Sequence, residues 1–278
     1  MIVHLIDGTY ELFRHFYGLR RFTQGADPPR GAVAGVLNTV LQMVETGATH
    51  IGVATDHVIE SFRNELWPGY KTGEGIEPAL WRQFHPLEDA LAAMAVAVWP
   101  MVEQEADDGL AAAAHLAGAD PRVEKVCIWT ADKDLAQCVV GDRVVQVDRR
   151  SGDIRNAAAV RAKFGVDPAL IADYLALVGD AADGFPGIRG VGAKTAARLL
   201  NRYGSIEALP DAVLNEREQA LLFKELATLR TDAPLFTDVE ELRWDPEAAD
   251  LDEVTAITGD ARIAERILRI TRATGGAA

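Results

Sequence analysis

The chain has 278 residues, 49% of them hydrophobic, which is enough for one large domain or two modest ones with a substantial core. It contains no run of eighteen or more apolar residues, and its first residues lack the basic lead and cleavage site of a signal peptide, so neither a membrane span nor secretion is expected. Lysine and arginine total 28 against 42 acidic residues, and this formal net charge of −14 has the wrong sign for a simple nucleic-acid binder.

Strand and helix patterns alternate through the first part of the chain. The apolar, β-branched runs that predict strands are residues 2–6, 51–54, 125–130 and 143–147. The helical patterns between them are residues 32–46, 86–99 and 107–117. Such alternation indicates a mostly parallel sheet that is covered by helices on both faces.

After about residue 165 the strand signal stops. The helices predicted there are residues 168–178, 193–203, 214–229, 251–258 and 261–271. We therefore expect an α/β domain over residues 1–165 and a helical domain over residues 166–278. The stretch 67–83, rich in Pro, Gly and Trp, interrupts the alternation and is typical of a functional insertion.

Nine carboxylates gather in five short motifs. Three motifs follow predicted strands, one opens a helix, and one follows a helix; their acids are Asp7, Asp56, Asp132 with Asp134, Glu105 with Asp107 and Asp108, and Asp180 with Asp183. The carboxyl ends of parallel strands share one edge of a sheet, which is where α/β proteins build their sites. The motifs are therefore expected to converge.

Taken one at a time, these acids have ordinary structural explanations. An aspartate at a strand end often forms a turn, and acids are favourable at the start of a helix. Taken together, so many carboxylates would repel one another strongly without cations. Oxygen ligands without His or Cys favour Mg²⁺ or Mn²⁺, in two or more sites, and two such ions predict phosphodiester hydrolysis.

A glycine-rich basic hairpin leads into the helix at 193–203. Its candidate DNA-binding residues are Arg189, Gly190, Gly192, Lys194, Thr195, Arg198 and Arg202. The glycines let a backbone approach a phosphate, and the cations spaced by four form one stripe on the helix. The alternative is an ordinary helix with a solvated basic face. These residues do not match a P-loop, because Ala193 separates Gly192 from Lys194 and no predicted strand precedes the turn.

In this order and spacing, the five acidic motifs and the hairpin resemble the 5′-3′ exonuclease and flap endonuclease family, which includes the nuclease domain at the start of bacterial DNA polymerase I. The resemblance covers residues 2–235. It implies a PIN-like nuclease domain, then a helix-three-turn-helix (helix-hairpin-helix) module that grips duplex DNA, with K⁺ at the hairpin. It also implies that residues 67–83 form a helical arch through which a single-stranded 5′ end passes.

The resemblance further implies roles for three residues outside these motifs. Lys71 matches the active-site lysine of the family, Arg14 matches a cation that contacts the scissile phosphate, and Tyr70 is expected beside the DNA. Cations there would stabilise transition-state charge. The alternatives are a solvent-facing loop lysine and a helix-surface arginine.

The chain departs from the family pattern in the arch, where an acid, Glu74, follows Lys71 at the place of a further basic residue. An acidic arch guides a single strand less well, so the preference between flap cutting and exonuclease action stays open. Cys127 and Cys138 lack CxxC spacing and are expected to be buried free thiols of a reducing cytosol.

The leading hypothesis is a stand-alone, monomeric 5′ nuclease of the bacterial cytoplasm and nucleoid. It would act on DNA with 5′ ends, flaps or branched duplex during replication or repair, and would work with a separate DNA polymerase. Two alternatives remain open: a PIN-type ribonuclease, and a structure-specific DNA-binding protein that no longer cuts.

Overall fold

A six-stranded sheet forms the centre of the computed structural model, which describes residues 1–23, 27–212, 214 and 216–275. The strands are β1 (Ile2–Asp7), β2 (His50–Asp56), β3 (Ala97–Met101), β4 (Lys125–Trp129), β5 (Val144–Val147) and β6 (Ile154–Arg155). Their order across the sheet is β3-β2-β1-β4-β5-β6, and all pairs are parallel except β5 with β6. The predicted mostly parallel sheet is confirmed.

Twelve α-helices lie within the described residues, the last six of them after the sheet. The helices are α1 (Gly8–Thr23), α2 (Gly31–Glu45), α3 (Phe62–Leu66), α4 (Pro78–Trp81), α5 (Phe84–Ala93), α6 (Ala106–Ala119), α7 (Ala157–Phe164), α8 (Ile171–Val178), α9 (Ala193–Tyr203), α10 (Arg217–Ala227), α11 (Leu251–Thr258) and α12 (Ala261–Gly275). No strand follows residue 165 in the part of the chain described, as the sequence predicts.

The predicted helix over residues 86–99 is wrong in its second half. The helix ends at Ala93, Ala95 turns the chain with a φ of 58°, and β3 begins at Ala97. The β-branched and aromatic residues Val96, Val98 and Trp99 favour a strand, and that preference outweighs the helical spacing. The sequence interpretation also missed α1, α7 and the short edge strand β6.

Two apolar cores cover the sheet, one on each face. Ile51 and Val53 of β2 point into the first with α2 and α5, whereas Val3 and Leu5 of β1 point into the second with α6. Because side chains on both faces of the central strands are buried, the sequences of these strands are nearly continuous apolar runs. No described helix is both long enough and apolar enough to cross a membrane.

The helical part of the chain divides between two places. Residues of α8, α9 and α10 form a core of their own, with Leu175, Leu200 and Phe223 fully buried. The last helices instead pack on the first core of the sheet through Val254 and Ile267. Residues 251–270 therefore stabilise the α/β unit, and the predicted boundary at 165/166 stays a prediction.

The stretch 67–83, expected to form a helical arch, contains only the four-residue helix α4. Tyr70 is 4% exposed, and Trp67 Nε1 donates to the carbonyl of Gly184 at 3.0 Å. Glu77 accepts a hydrogen bond from Arg20 Nη1 at 2.6 Å. The segment is thus a short loop fastened to α1 and to the hairpin region. It is not a long helical arch, because its prolines and glycines interrupt helix formation.

Candidate metal centre

The acids at the strand ends come together because β2, β1 and β4 are neighbours in the sheet. Asp7 ends β1, Asp56 ends β2, and Asp132 lies three residues beyond β4. Asp7 Oδ1 accepts from the Tyr10 amide at 2.8 Å, and Asp7 Oδ2 accepts from Thr130 Oγ1 at 3.0 Å. The backbone geometry at the carboxyl edge therefore fixes the first of these carboxylates in place.

Two groups of three carboxylates could each hold a cation. Asp107, Asp132 and Asp134 form one group, and Asp134, Asp180 and Asp183 form the other, with the ligand oxygens of each group within 4.8 Å of one another. Asp134 belongs to both. These acids come from α6, from the loop after β4 and from the segment after α8, so the fold joins three of the five sequence motifs here.

Burial and mutual repulsion raise the pKa values of the central acids. Burial raises the pKa of Asp7 to about 7, and the neighbouring Asp56 and Asp132 add to the rise against the hydrogen bonds from Tyr10 and Thr130. The pKa values of Asp107 and Asp134 are well above the usual range for the same reason, with Asp132 as the main charged neighbour. Negative charge in this cluster therefore needs compensation.

The donor set fits a hard divalent cation. Asp134 Oδ1 is buried and has no hydrogen-bond partner among the described residues. A buried carboxylate oxygen without a donor is costly unless a cation lies against it. Only oxygen ligands are present in the two groups, which suits cations that prefer oxygen to nitrogen or sulfur.

Lys71 lies against the cluster, where the family resemblance placed it. Its Nζ is 2.7 Å from Glu105 Oε2 and 3.1 Å from Asp183 Oδ1. The Lys71 amide also donates to the Asp183 carbonyl at 3.0 Å, which fixes the loop. The preceding Tyr70 hydroxyl donates to Glu105 Oε2 at 3.3 Å, so it faces the site from a buried position.

Protein donors fully engage Glu105. Its Oε1 accepts from Ser61 Oγ at 2.7 Å and from Arg63 Nη1 at 3.2 Å, while its Oε2 faces Lys71 and Tyr70. Burial raises the pKa of Glu105, but Lys71 and Arg63 outweigh it, and the net direction is downward. Glu105 is consequently ionised at neutral pH and already compensated by the protein.

Asp108 is compensated even more completely, by Arg63, which the sequence interpretation missed. Asp108 Oδ2 accepts from Arg63 Nη1 at 2.7 Å and from the Glu105 amide at 3.0 Å. Asp108 Oδ1 accepts from Arg63 Nη2 and from the Arg230 amide, both at 2.8 Å. With four donors on two oxygens and no exposed surface, Asp108 has no free lone pair directed at a cation or its water. These contacts give no support to the expected role in metal binding.

The Arg63 side chain also ties the helical region to the metal centre. Its Nε donates to the Leu226 carbonyl at 2.8 Å and its Nη2 to the Thr228 carbonyl at 3.1 Å, at the end of α10. Together with the bonds to Glu105 and Asp108, all five N–H groups of this buried guanidinium have partners. No sequence signal points to this residue, because its partners lie 42 to 165 positions away.

Lys133 is a second cation that the sequence interpretation missed. It forms an ion pair with Asp180 and lies 3.9 Å from Asp134 Oδ1.

Arg14, by contrast, does not lie beside the carboxylate groups. Its hydrogen bonds among the described residues go to Glu11, His15 and Thr39.

The basic hairpin is exposed beside the centre. Arg189, Lys194 and Arg198 are exposed, and none of them forms an ion pair within the described residues. Arg202 lies over the ring of Tyr203, and Thr195 is half-buried. Gly190 has a φ of 81° with open space around it, as a turn that meets a ligand requires. A stripe of uncompensated cations is suited to a phosphate backbone.

The hairpin and the acidic pair are joined backbone to backbone. The Asp180 amide donates to the Phe185 carbonyl at 2.8 Å. Gly179 and Gly187 face each other: a Cβ on Gly187 would lie 2.3 Å from the Gly179 nitrogen, and one on Gly179 would lie 2.5 Å from the Pro186 carbonyl. Both glycines have positive φ, so no other residue fits either position.

Cys127 is buried, Cys138 is half-buried, and both are free thiols. Cys138 is thus less buried than the sequence interpretation expected.

Family models and curated relatives match nearly the whole chain. A model described as "5′-3′ exonuclease, N-terminal resolvase-like domain" matches residues 2–165, and one described as "5′-3′ exonuclease, C-terminal SAM fold" matches residues 166–250. DNA polymerase I of Pseudomonas aeruginosa is 36% identical over 259 residues, covering 86% of this chain and 28% of that protein. Thermostable DNA polymerase I of Thermus aquaticus is 34% identical over 253 residues, covering 87% and 30%. The chain thus spans less than a third of the length of these relatives.

Solved structures share the fold at low sequence identity. The T5 D15 protein co-crystallised with metal ions has a TM-score of 0.66 and 20% identity, covering 98% of this chain and 100% of that one. Flap endonuclease-1 from Methanococcus jannaschii has a TM-score of 0.65 and 16% identity, covering 100% and 93%. These likenesses agree with the sheet order and the helical region described above.

Proposed function

The chain belongs to the 5′-3′ exonuclease family, and on that premise we propose that it is a divalent-metal-dependent nuclease that hydrolyses DNA phosphodiesters at 5′ ends and flaps. The observation that carries the proposal is the pair of carboxylate groups that share Asp134. Their spacing, burial and oxygen-only composition fit two cations, which phosphodiester hydrolysis uses.

We assign the direct ligand role to Asp107, Asp132, Asp134, Asp180 and Asp183. Asp7 and Asp56 lie beside these five and would act through bound water, as is common around Mg²⁺, whereas Glu105 would act by holding Lys71 in place. Mg²⁺ is favoured over Zn²⁺ by the absence of His and Cys from both groups, with Mn²⁺ as a substitute. When bound, such cations activate a water and stabilise the leaving oxygen.

The protein side chains would supply positioning and charge. Lys71, 33% exposed and held by Glu105 and Asp183, directs its ammonium toward the place where phosphate charge develops. The exposed stripe of Lys194 and Arg198 would hold the duplex, and the hairpin amides would take a phosphate oxygen. Since Asp180 is hydrogen-bonded to the hairpin, duplex held there lies next to the cleaving groups.

Finer aspects of the proposal rest on the resemblance alone. They are K⁺ at the hairpin, a monomeric state, action in the nucleoid and cooperation with a separate DNA polymerase. Exposed Glu74 in the loop at residues 67–83 repels a single strand, which favours exonuclease action on 5′ ends over flap threading.

A cleavage assay tests the proposal on four labelled substrates: flap DNA, nicked DNA, single-stranded DNA and RNA. With Mg²⁺ or Mn²⁺, DNA with a 5′ end should be cut, and Asp132→Ala should lower the rate by roughly 10³-fold or more, since one cation loses a ligand. Asp252→Ala, an exposed acid on α11, is the matched control and should cut normally.

The assay also separates the rival functions. Preferential cleavage of RNA would replace the proposal with a ribonuclease. Tight flap binding in Ca²⁺ without cleavage in either Mg²⁺ or Mn²⁺ would replace it with a DNA-binding protein that does not cut.

A further inference from the structure

A cleft of about 750 Å³ lies apart from the carboxylates of the metal centre. It is lined by residues of β1, α1, α2 and β4, together with Arg149 from the turn between β5 and β6. Its volume lies in the range of small-molecule sites, about 300–1,000 Å³. None of the nine carboxylates lines it, so it is not part of the site already described.

The lining of this cleft has an unusual charge for so acidic a protein. Its titratable side chains are Arg14, Arg149, His4 and His15, and no Asp or Glu is among them. The chain as a whole carries a net charge of −14. A concave surface with two arginines and no acid is therefore an exception that favours an anion.

Arg149 is the cation in the cleft that has no carboxylate partner within the described residues. Its guanidinium lies 5.5 Å from the centre of the Trp129 ring, and its Nη2 donates to Gln42 Oε1 at 3.3 Å. Its Nε and Nη1 make no hydrogen bond to a described residue, so they can donate to a ligand. Burial lowers the pKa of Arg149, and although Glu11 opposes this effect the net direction is downward. A bound anion would relieve that cost.

Arg14 supplies a second donor in the same cleft. Its Nε and Nη2 engage Glu11, which is fully buried beneath the lining, while its Nη1 is without a hydrogen-bond partner among the described residues. His15 Nε2 is 2.9 Å from Thr39 Oγ1, and burial lowers its pKa to about 4, so it is neutral at pH 7. Glu11 thus offsets Arg14, and the charge of Arg149 is the one left uncompensated.

We propose that this cleft binds the phosphate group of a nucleotide, with Arg149 as its main anchor and Arg14 as a second donor. Guanidinium groups bind phosphate through N–H donors, and Arg149 still offers those of Nε and Nη1, while Arg14 offers those of Nη1. The volume exceeds that of a bare phosphate and leaves room for the attached sugar and base. The phosphate belongs either to a free nucleoside monophosphate or to a DNA strand, and this second source rests on the proposed function.

The first experiment uses thymidine monophosphate as the probe, titrated calorimetrically into the full chain in EDTA. Without divalent cations the carboxylate cluster repels the probe, and the Arg149 variant separates binding in the cleft from binding at the hairpin. Arg149→Ala should weaken binding by roughly tenfold or more, because a charge-assisted pair is lost. Arg262→Ala removes the same charge from an exposed position on α12 and should bind like the wild type.

The second experiment measures duplex DNA binding in Ca²⁺ over a range of salt concentrations. If the phosphate is that of DNA, Arg149→Ala lowers the affinity and makes the slope of log affinity against log salt shallower by about one, while Arg262→Ala changes neither. Arg149→Lys keeps the charge but not the paired donors, so its DNA affinity should lie between that of the wild type and that of Arg149→Ala. If circular dichroism shows that Arg149→Ala is unfolded, Arg149→Lys takes its place in both experiments.

The proposal is overturned if Arg149→Ala changes neither the affinity for thymidine monophosphate nor the affinity and salt slope for DNA. Cleavage by the wild type in Mg²⁺ is a separate readout. A protein that binds the nucleotide but cuts no substrate would refute the proposed function and leave the cleft assignment in place.

Discussion

The acidic site has two halves that the sequence makes look alike and the structure makes different. In one half, Glu105 and Asp108 are buried and surrounded by protein donors, with the guanidinium of Arg63 against both. In the other half, Asp134 is also buried but keeps an oxygen without a hydrogen-bond partner among the described residues, and its charged neighbours are mainly acids, with Lys133 3.9 Å away. Protein cations compensate the first half completely, whereas Lys133 and Lys71 compensate only part of the charge of the second.

This difference separates two uses of a buried carboxylate. Where arginine, lysine and backbone amides satisfy every oxygen, the acid holds the structure together. Where acids mainly face acids, the charge is stable only with a bound cation. Burial alone does not distinguish the two, but the number of protein donors on each oxygen does.

The largest effect is expected from breaking the half that carries its own cations. Arg63→Met keeps much of the side-chain volume but leaves Asp108 buried without its partner, which costs roughly 3–5 kcal/mol of the free energy of unfolding. Urea denaturation measures the loss, with Arg262→Met as the exposed control. If the loss were below about 1 kcal/mol, a typical value for an exposed ion pair, Arg63 would not hold this half together.

Lys71 lies at the border of the two halves and should affect rate more than stability. Lys71→Met removes the ammonium beside Glu105 and Asp183. We expect the cleavage rate in Mg²⁺ to fall about 10- to 100-fold while KM changes little, because the charge acts mainly in the transition state. Lys125→Met, at the amino end of β4, is the control. An unchanged rate would reduce Lys71 to a structural ion-pair residue.

The half that needs cations should respond to pH when none are present. Asp7 has a pKa raised to about 7, whereas an aspartate in the unfolded chain titrates near 4. The unfolded chain therefore ionises first, so metal-free stability is highest at low pH and is lost as the pH rises from about 4 through about 7.

Asp134→Asn should weaken this pH dependence. In EDTA at pH 8 it should raise the melting temperature by roughly 2–6 °C, equivalent to about 1–2 kcal/mol. The wild type with excess Mg²⁺ should also show a weaker pH dependence of its melting temperature, because bound cations neutralise the carboxylates. A wild-type melting temperature that increases from pH 5 to pH 8 in EDTA would contradict the pKa directions given above.

The smallest effect concerns the exposed cations of the hairpin. Arg198→Ala removes one phosphate contact, which should lower duplex affinity by roughly three- to tenfold at moderate salt and reduce the salt slope by about one. Filter binding in Ca²⁺ measures both, and Arg161→Ala, exposed and paired with Asp167, is the control. If Arg198→Ala and Arg161→Ala had equal salt slopes, the hairpin would not be part of the DNA-binding surface.

Much of this architecture follows from local sequence patterns. The strand at residues 2–6 and the helix at 193–203 were predicted nearly to their ends, since apolar periodicity and the glycine turn specify them locally. The convergence of the strand-end acids followed from the parallel sheet alone. β3 was missed because Ala95 ends the preceding helix with an unusual backbone conformation that no sequence rule anticipates.

Contacts between distant residues set the limit of prediction for the site. The spacing of Glu105, Asp107 and Asp108 places all three acids at one helix start, yet of the three only Asp107 lies in a carboxylate group that could hold a cation. The difference depends on Arg63, whose partners are far away along the chain. For the same reason, the sequence did not predict the ion pair of Lys133 with Asp180 or that of Arg14 with Glu11.

The backbone contact between Gly179 and Gly187 leaves no hinge between the hairpin and Asp180. Under the proposed function, DNA bound at the hairpin would therefore be held at a fixed distance from Asp180 and Asp183. A larger residue at either glycine should then disturb DNA binding and cleavage together.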